Sequence, residues 1–526
     1  MTHRLWSSTA KVPGSLAWAL TNSLVMRAGN LAVGIVVARL LSPKDFGTFA
    51  VGLTVLTILA AIAELGLTAD LVRKGDVRRR APTVTTVGTA VSVSLALLVF
   101  SLAPFVAPAL GSAEATEVIQ VLALTLPISG LSAVPMAVLQ LRFEQRRQFA
   151  ADLTSFIVGT VATIVMLLMG MGAMSLAWSR VLAQLATWIL LMVLARTPVK
   201  FGFDRVVARE LLSFGVPLCG ANVLSWLLLN VDYLLIGHVQ GATNLGLYVL
   251  AFNIASWPTS ALTQAVRAIA LPAFADTTRT ADPTALRLSK QSSALTMSTA
   301  LTWWGAVPMA TMIAALASPL IVVLYGERWS SAASALVALA AFGAMRTVFD
   351  VWATLLIALG ATRQVLLIQV LWTAALIPTL LLGLMLDGIK GAAWVHVLVA
   401  GLVVLPAYLI ALRSQHISVA PLGRQVMPTT MFGILAGAVA WAIGNWISLP
   451  LASLIVAGAA GTLVYLACTG RWVRNSLIKW ATERQNLSRS HSEWTRLDAP
   501  EPELTTLGTP GSSEVGADDH LIREAG

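Results

Sequence analysis

Four arginines stand inside long apolar stretches of this chain, at Arg27, Arg180, Arg267 and Arg346. An ionised side chain at the centre of a membrane costs about 2.5–3.5 kcal/mol, so each of them needs a partner or a function. A guanidinium binds phosphate oxygens through two parallel hydrogen bonds and stays charged at any physiological pH. These arginines therefore predict a cavity that water reaches, in which they could meet an anionic group.

Four acidic residues accompany the arginines, at Glu64, Asp70, Asp232 and Asp350. Glu64 and Asp70 stand at the end of one apolar stretch, where a salt bridge could close an inner gate. Asp232 follows Asn230 by two residues and could bind a coupling cation. We therefore assign gating or ion coupling to these four carboxylates as a hypothesis.

Several of these residues also have a purely structural interpretation. Arg346 and Asp350 are one helical turn apart and could neutralise each other. Arg267 stands near enough to the predicted cytoplasmic boundary to extend its charge into water. A structural pair or a water-filled vestibule would equally account for Asp232. His396 could titrate near neutrality, but a hydrogen bond within its helix explains it more simply.

The composition places these residues in a membrane protein. Apolar residues make up 57% of the 526 positions and charged residues only 11%, whereas soluble domains carry roughly a quarter charged residues. The apolar residues form blocks of roughly twenty, the length that crosses about 30 Å of hydrocarbon. The net charge of +10 lies in short clusters between the blocks, which does not build a nucleic-acid groove.

We predict an all-α polytopic membrane protein with about fourteen transmembrane helices, forming two six-helix bundles around a central cavity plus an extra C-terminal helix pair. The predicted helices cover 14–40, 46–69, 83–109, 117–140, 149–170, 173–195, 211–238, 245–272, 292–323, 332–358, 365–386, 390–412, 428–447 and 450–469. Basic residues fall mainly in one alternating set of loops and in both termini, whereas the opposite loops hold only Lys44, Arg328 and Lys390. Because basic loops stay in the cytoplasm, both termini are predicted to be cytoplasmic.

The predicted domain organisation follows from this pattern. It comprises a cytoplasmic N-terminus (1–13), an N-terminal six-helix bundle (14–195), a cytoplasmic linker (196–210), a C-terminal six-helix bundle (211–412), the extra helix pair (428–469) and a cytoplasmic tail (470–526). The tail is rich in Ser, Thr, Pro, Gly and acidic residues and is predicted to be mostly disordered.

Two short segments suggest an internal duplication. The residues from Ser42 to Phe49 (SPKDFGTF) and from Gly241 to Tyr248 (GATNLGLY) each form a polar turn before an apolar–Gly–x–aromatic sequence, at an offset of 199 residues. Both turns follow the first helix of a predicted bundle, so the repeat would be parallel. Internal repeats around a midplane site are a common plan among transporters.

The sequence from Ala38 to Gly47 (ARLLSPKDFG), followed by Glu64-Leu65-Gly66, resembles the polysaccharide-transport family of Wzx-type flippases. That family belongs to the same superfamily as the MATE exporters and the lipid II flippases. The resemblance implies movement of a polyprenyl-diphosphate-linked oligosaccharide from the inner to the outer leaflet of the bacterial plasma membrane, by alternating access, for cell-surface polysaccharide synthesis. It also implies membrane lipids and the machinery that polymerises the glycan as partners, and it is consistent with fourteen helices.

Within this resemblance, position decides which arginines matter most. Arg27 and Arg346 alone fall near the predicted midplane, one in each half, so we expect them to hold the diphosphate. Arg267 would meet the substrate on the inner side and Arg180 on the outer side. No nucleotide-binding loop of the type GxxxxGK[ST] occurs, and we expect no cofactor.

Three other functions remain open from the sequence. A lipid II flippase would carry a similar diphosphate, so charge does not separate it from the preferred reading. A MATE-type exporter of cations would favour carboxylates in its cavity, whereas this chain places more arginine than acid in its apolar stretches. A membrane glycosyltransferase or ligase would require acidic groups on a substantial outer loop, and the predicted outer loops are short.

Overall fold

The computed structural model describes residues 26, 29–64, 66–142, 144–197, 200–279 and 284–470, and all regular structure within them is helical. In chain order the helices are α1 (Gly29–Leu40), α2 (Pro43–Glu64), α3 (Leu67–Lys74), α4 (Val77–Ala109), α5 (Ala115–Ala123), α6 (Thr125–Leu141), α7 (Gln145–Leu168), α8 (Ala173–Ala195), α9 (Arg205–Arg279), α10 (Thr284–Ala315), α11 (Ala317–Tyr325), α12 (Ala332–Ala358), α13 (Thr362–Val399), α14 (Leu405–Ser414), α15 (Ala420–Trp446) and α16 (Pro450–Gly470). A 3₁₀ turn, Glu327–Trp329, follows α11, and a π-helical turn, Ala400–Val404, joins α13 to α14.

Two long helices contain turns that divide them into separate membrane spans. In α9 the backbone leaves helical geometry at Asn230 and again at Gly241, whose φ of 76° suits glycine. The Tyr248 hydroxyl hydrogen-bonds to Asp232 across this second break, a contact that a straight helix could not make. The corresponding turn in α13 is at Asp387 and Gly388.

The described helices confirm the all-α polytopic fold. Ten helical stretches among the described residues, some of them two consecutive helices together, are long and apolar enough to cross a membrane, and α10 with α11 adds an eleventh, bent by 76°. The remaining predicted spans correspond to α1, to the first part of α9 and to the second part of the helix that turns at Gly388. The first predicted span is described from residue 26 onward, and the predicted N-terminus (1–13) lies outside the described residues, as does the tail from residue 471.

The extra helix pair packs on the second half of the chain through small residues. A methyl group added at Gly437 of α15 would lie 3.2 Å from Thr311 of α10, so the two backbones approach closely. The Trp303 indole N–H donates to Thr430 at 2.7 Å, and the Tyr465 hydroxyl donates to the carbonyl of Trp304 at 2.8 Å. These contacts fix α15 and α16 against α10.

Candidate functional site

The first half of the chain encloses a polar cavity of about 510 Å³ between α1, α2, α7 and α8. We call it the Arg180 cavity, after the arginine that α8 presents to it. Asn30, Asp152 and Gln184 supply further polar groups, and Ser155, Thr160, Thr163 and Ser179 supply hydroxyls. The cavity thus combines one guanidinium, one carboxylate and several amide and hydroxyl groups, which can form hydrogen bonds with a polar ligand.

The packing of α7 against α8 sets the position of Arg180. A methyl group added at Gly159 would lie 3.3 Å from the Cβ of Ala183, so the two helices lie close together at this level. Buried small residues on α8, including Ser175, Ala177 and Ser179, face the other helices of this half. The Arg180 side chain between them is exposed and lines the cavity.

A second, smaller cavity of about 220 Å³ lies between α2, α3, α6 and α8, and Glu64 lines it. Gln184 lines both this cavity and the Arg180 cavity, so the two adjoin at that residue. Together they form a row of polar groups from Glu64, at the end of α2, to Arg180. The sequence-based hypothesis placed Glu64 beside Asp70 in one gate, whereas here the two carboxylates lie in different environments.

The second half of the chain contains a cavity of about 40 Å³ lined by Asp232, Arg346, Gln369, Thr373 and His396. We call it the Asp232 cavity. Asp232 and His396 are 3% and 4% exposed, so both titratable groups are withdrawn from bulk water. The helix break at Asn230, two residues earlier, places the carboxylate where the regular backbone pattern of α9 is interrupted.

Asp232 and His396 form a buried acid–base pair. One carboxylate oxygen of Asp232 accepts a hydrogen bond from the Tyr248 hydroxyl at 3.1 Å and lies 3.8 Å from Nε2 of His396. Nδ1 of His396 lies 2.9 Å from the carbonyl oxygen of Ala392 and can only donate to it, which leaves Nε2 facing the carboxylate. This contact with Ala392 is the hydrogen bond within its own helix that the sequence suggested for His396.

On the predicted cytoplasmic side, a charge cluster connects α3, α4 and the beginning of α9. Asp70 is fully buried and accepts hydrogen bonds from Arg80 at 2.6 Å and from Arg73 at 3.3 Å. Arg80 also contacts Glu210 at 2.8 Å, and Lys74 lies 3.7 Å from the same carboxylate. We call these five residues the inner cluster. Because Glu210 lies at the beginning of α9, the cluster holds α3 and α4 to the first part of that helix.

A neighbouring ion pair reinforces this junction. Asp204, in the loop before α9, accepts from Arg79 of α4 at 3.1 Å. Its carboxylate also accepts hydrogen bonds from the backbone N–H groups of Val206 and Val207. The hydrogen bonds from Val207 and Val206, followed by that from Arg79, lower the pKa of Asp204 below its ordinary value.

On the opposite side the two halves are joined mainly through backbone groups. The Trp329 indole is fully buried and donates to the carbonyl of Ala38 at 2.8 Å. Arg39 donates to the carbonyl oxygens of Leu324 and Val323. At the equivalent position of the repeat, 199 residues later, His238 contacts the carbonyl of Ala109 at 2.6 Å. We call this set of contacts the outer closure.

Two glycines stand at the centre of the outer closure. A methyl group on Gly47 would overlap the carbonyl oxygen of Ala242, and one on Gly246 would overlap the carbonyl oxygen of Pro43. Gly47 and Gly246, like Pro43 and Ala242, are separated by 199 residues, so the repeat places each glycine against the backbone that precedes the other. The internal duplication stays a prediction, and this reciprocal contact supports it.

The structure separates the predicted site residues into different places. Arg180 and Arg346 line cavities in different halves, Asp70 lies in the inner cluster, and Asp350 is half-buried one turn after Arg346 on α12. Arg27 lies outside the described residues. The backbone of Arg267 belongs to α9, but its side chain lies outside what the structure describes. Substrate contact by these arginines stays a prediction.

Sequence reasoning missed several residues that the structure brings into these sites. His396 was set aside as a lone histidine, yet it faces Asp232. Arg80 was counted only among the basic loop residues, yet it holds Asp70, and Glu210, which was not singled out, pairs with Arg80. The available signal was the position of Arg80 three residues inside α4, but no local pattern connects Arg80 with Glu210, 130 residues later.

Comparison with known proteins identifies the family. Residues 36–334, more than half of the chain, match the family described as polysaccharide biosynthesis proteins, and the chain belongs to this family. Over 300 residues the chain is 29% identical to the succinoglycan biosynthesis transport protein ExoT of Rhizobium meliloti, a match that covers 56% of this chain and 59% of that protein. It is 19% identical over 399 residues to the lipopolysaccharide biosynthesis protein WzxC of Escherichia coli, covering 75% of this chain and 80% of the relative.

Solved structures confirm the fold. The lipid II flippase MurJ, in its inward closed conformation, superposes with a TM-score of 0.70 at 12% identity, covering 88% of this chain and 100% of that one. An inward-facing MATE family transporter superposes with a TM-score of 0.57 at 16% identity, covering 74% of this chain and 95% of that one. The chain therefore shares the polytopic helical fold of these two proteins.

Proposed function

We propose that this protein is a flippase that moves a polyprenyl-diphosphate-linked oligosaccharide from the inner to the outer leaflet of a bacterial plasma membrane, for cell-surface polysaccharide synthesis. Its relatives are named for succinoglycan, lipopolysaccharide and teichuronic acid biosynthesis, so a lipid-linked saccharide is the common substrate class. No chemical step is needed, and the machinery that polymerises the glycan would receive the product. Both termini would lie in the cytoplasm.

The Arg180 cavity carries this proposal. Its volume of about 510 Å³ lies within the range of about 300–1,000 Å³ typical of small-molecule sites. Arg180 would bind a phosphate oxygen of the diphosphate, while the amide and hydroxyl groups around it would bind the first sugar. A single guanidinium holds the substrate weakly enough for release to the outer leaflet.

The sizes of the two cavities favour Arg180 over Arg346 as the arginine that first binds the substrate. The Asp232 cavity, at about 40 Å³, has room for a few water molecules and not for a diphosphate. Arg346 would therefore meet the substrate only after this cavity opens, whereas Arg180 is accessible in the present conformation. Arg27 and Arg267 remain candidates for the two ends of the path.

Alternating access would use the contacts at the two ends of the molecule. Opening the inner side would separate Glu210 from Arg80 while the outer closure persists. Opening the outer side would part Gly47 from Gly246 while the inner cluster persists. Asp232 and His396 would couple this exchange to a proton or another cation, and Glu64 would line the inner approach to Arg180.

Export of the glycan by an Arg180→Ala variant, at matched membrane abundance, tests the proposal. We expect export to stop and lipid-linked glycan to accumulate on the inner leaflet, with partial rescue by Arg180→Lys, which keeps the charge but loses the two-pronged geometry. Leu185→Ala, a partly lipid-exposed position on the same helix, serves as the control. Normal export by Arg180→Ala would exclude Arg180 from substrate binding, and the same assay on Arg27→Ala and Arg346→Ala would test the remaining arginines.

A further inference from the structure

The segment between α8 and α9 is fixed to α4 in a defined conformation. The Gly202 N–H donates to the Thr86 hydroxyl at 3.0 Å, and this hydroxyl lies 2.9 Å from the Gly202 carbonyl oxygen. The Asp204 N–H donates to the Thr83 hydroxyl at 3.0 Å. A methyl group on Gly202 would lie 3.0 Å from Pro82, so no side chain fits between this segment and α4. Residues 202 and 204 therefore face the protein.

The alternate residues of this segment face outward and are apolar. Phe201 is 63% exposed and Phe203 is 68% exposed, and Val206 at the beginning of α9 is 58% exposed. In an extended segment, residues two apart project to the same side. Two phenyl rings thus stand together where the chain passes from one membrane span to the next, which is the depth of the lipid headgroups.

Three exposed cations, Lys200, Arg205 and Arg209, surround these rings. Arg205 and Arg209 line a depression of about 400 Å³ together with Val206, Glu210 and Ser213. Within the described part of the chain, neither guanidinium forms an ion pair, because the nearby carboxylates of Asp204 and Glu210 are paired with Arg79 and Arg80. Both carboxylates are partly exposed, but Arg79, Arg80 and Lys74 offset their charges, so the surface around Arg205 and Arg209 keeps a cationic excess.

Another predicted cytoplasmic loop has basic residues but does not combine unpaired arginines with exposed phenyl rings. In the loop between α6 and α7, Arg142 donates to the carbonyl of Ala195, and Arg147 pairs with Glu144 at 2.7 Å. Those two arginines contact groups of the protein itself, and among the described residues no pair of exposed phenyl rings lies beside them. The segment before α9 is built to present its charges and rings outward.

We propose that the surface formed by Lys200, Phe201, Phe203, Arg205, Val206 and Arg209 binds an anionic phospholipid of the inner leaflet. The phosphate lies between Arg205 and Arg209, and the phenyl rings insert among the upper acyl carbons. The proposal rests on the cytoplasmic placement of this segment and not on the identity of the transported glycan. Its consequence is that the beginning of α9, next to the inner cluster, is held at the membrane surface.

Lipid retention by the purified full-length protein tests the proposal. The protein is reconstituted in nanodiscs of phosphatidylcholine with phosphatidylglycerol, extracted, and the bound lipids are counted by native mass spectrometry. Each basic residue near an anionic surface contributes about fivefold, so Arg205→Gln with Arg209→Gln should lower phosphatidylglycerol retention about 30-fold. The control, Arg363→Gln with Arg413→Gln, removes two exposed arginines that face the same predicted side and should leave retention unchanged.

A second variant separates the contribution of the rings from that of the charges. Phe201→Ser with Phe203→Ser should lower the retention of phosphatidylcholine and phosphatidylglycerol alike, because the rings contact acyl chains. Unchanged phosphatidylglycerol retention in the arginine variant would overturn the proposal. If the arginine variant kept its phosphatidylglycerol but lost glycan export, the two arginines would instead contact the transported lipid diphosphate. The phospholipid site would then be wrong while the flippase function stood.

Discussion

Replacing Gly47 by alanine should prevent the outer side from closing. The added Cβ would overlap the carbonyl oxygen of Ala242, lie 2.5 Å from its carbonyl carbon and lie 3.1 Å from the backbone nitrogen of Gly246. Carbon atoms pack without repulsion at about 3.5–4.0 Å, and all of the opposing atoms belong to the backbone. The two helices must therefore separate by about 1 Å, since no side chain can rotate away.

The expected magnitude follows from this overlap. Forcing an extra methyl group into a packed contact costs about 1–3 kcal/mol. Because the outward-open form has already lost this contact, the cost falls only on the outer-closed form. A difference of this size changes the ratio of the two forms about 5- to 150-fold in favour of the open one. Gly246→Ala should have the same effect, since its Cβ would overlap the carbonyl of Pro43.

Cysteine labelling from outside measures the opening. Ser112 is 8% exposed and its hydroxyl lies 3.4 Å from that of Thr48, inside the outer closure. In a chain whose native Cys219 and Cys468 are replaced, Ser112→Cys should react slowly with an impermeant maleimide. Adding Gly47→Ala should accelerate this reaction and lower glycan export at matched abundance.

Gly220→Ala is the matched control, because a Cβ at this helical position of α9 meets nothing within 4 Å. It should leave both labelling and export unchanged. If Gly47→Ala labels and exports like the unmodified chain, the reciprocal glycine contact does not limit closure, and the assignment of these residues to an outer gate is refuted.

Three further predictions concern the charged groups. Asp70→Asn should lower the stability of the purified protein by about 1–3 kcal/mol, read as an earlier denaturation midpoint, because Arg80 would lose its buried carboxylate partner and keep only Glu210. Asp232→Asn and His396→Gln should each remove the dependence of export on an imposed pH gradient in inverted vesicles, and persistent dependence in both would exclude the pair from coupling. The pKa of Asp204 is lowered in the folded chain, so its stabilising contribution is complete above its ordinary pKa of 3.8 and is lost as the pH falls below that value. Asp204→Asn should therefore flatten the acid side of the curve of stability against pH, measured by thermal unfolding.

The fold followed from the sequence because it depends on periodic, local information. Blocks of about twenty apolar residues specify spans whatever lies beside them, since hydrocarbon requires every backbone group to be paired within its own helix. The turns at Gly241 and Gly388 were placed correctly between predicted spans for the same reason, because each interrupts an apolar block with polar residues and a glycine.

The sites were less accessible to sequence reasoning because they depend on contacts between distant helices. Depth along a helix can be estimated by counting residues, which is why Arg180 and Asp232 were selected at all. The direction in which a side chain faces cannot be inferred from the sequence when its helix is apolar on all sides, because no polar face distinguishes the cavity from the lipid. Arg346 was therefore assigned to a shared central cavity, whereas it lines a small cavity within the second half.

Helix α9 runs from the inner cluster to Asp232, the residue for which we propose ion coupling. Its first part is held to the first half by Glu210, which pairs with Arg80, and by Cys219, which lies against Ile62. Beyond Asn230 it belongs to the second half, where it carries Asp232. A relative movement of the halves must be absorbed between these parts, and among the described residues from Cys219 to Asp232 only Asn230 (φ −132°, ψ 16°) is non-helical. The bend thus lies two residues from the carboxylate, so a rotation at Asn230 would move Asp232 relative to His396. If the pair holds a coupling cation as proposed, cation binding and the bend would bias each other by the same free energy, by the reciprocity of linked equilibria.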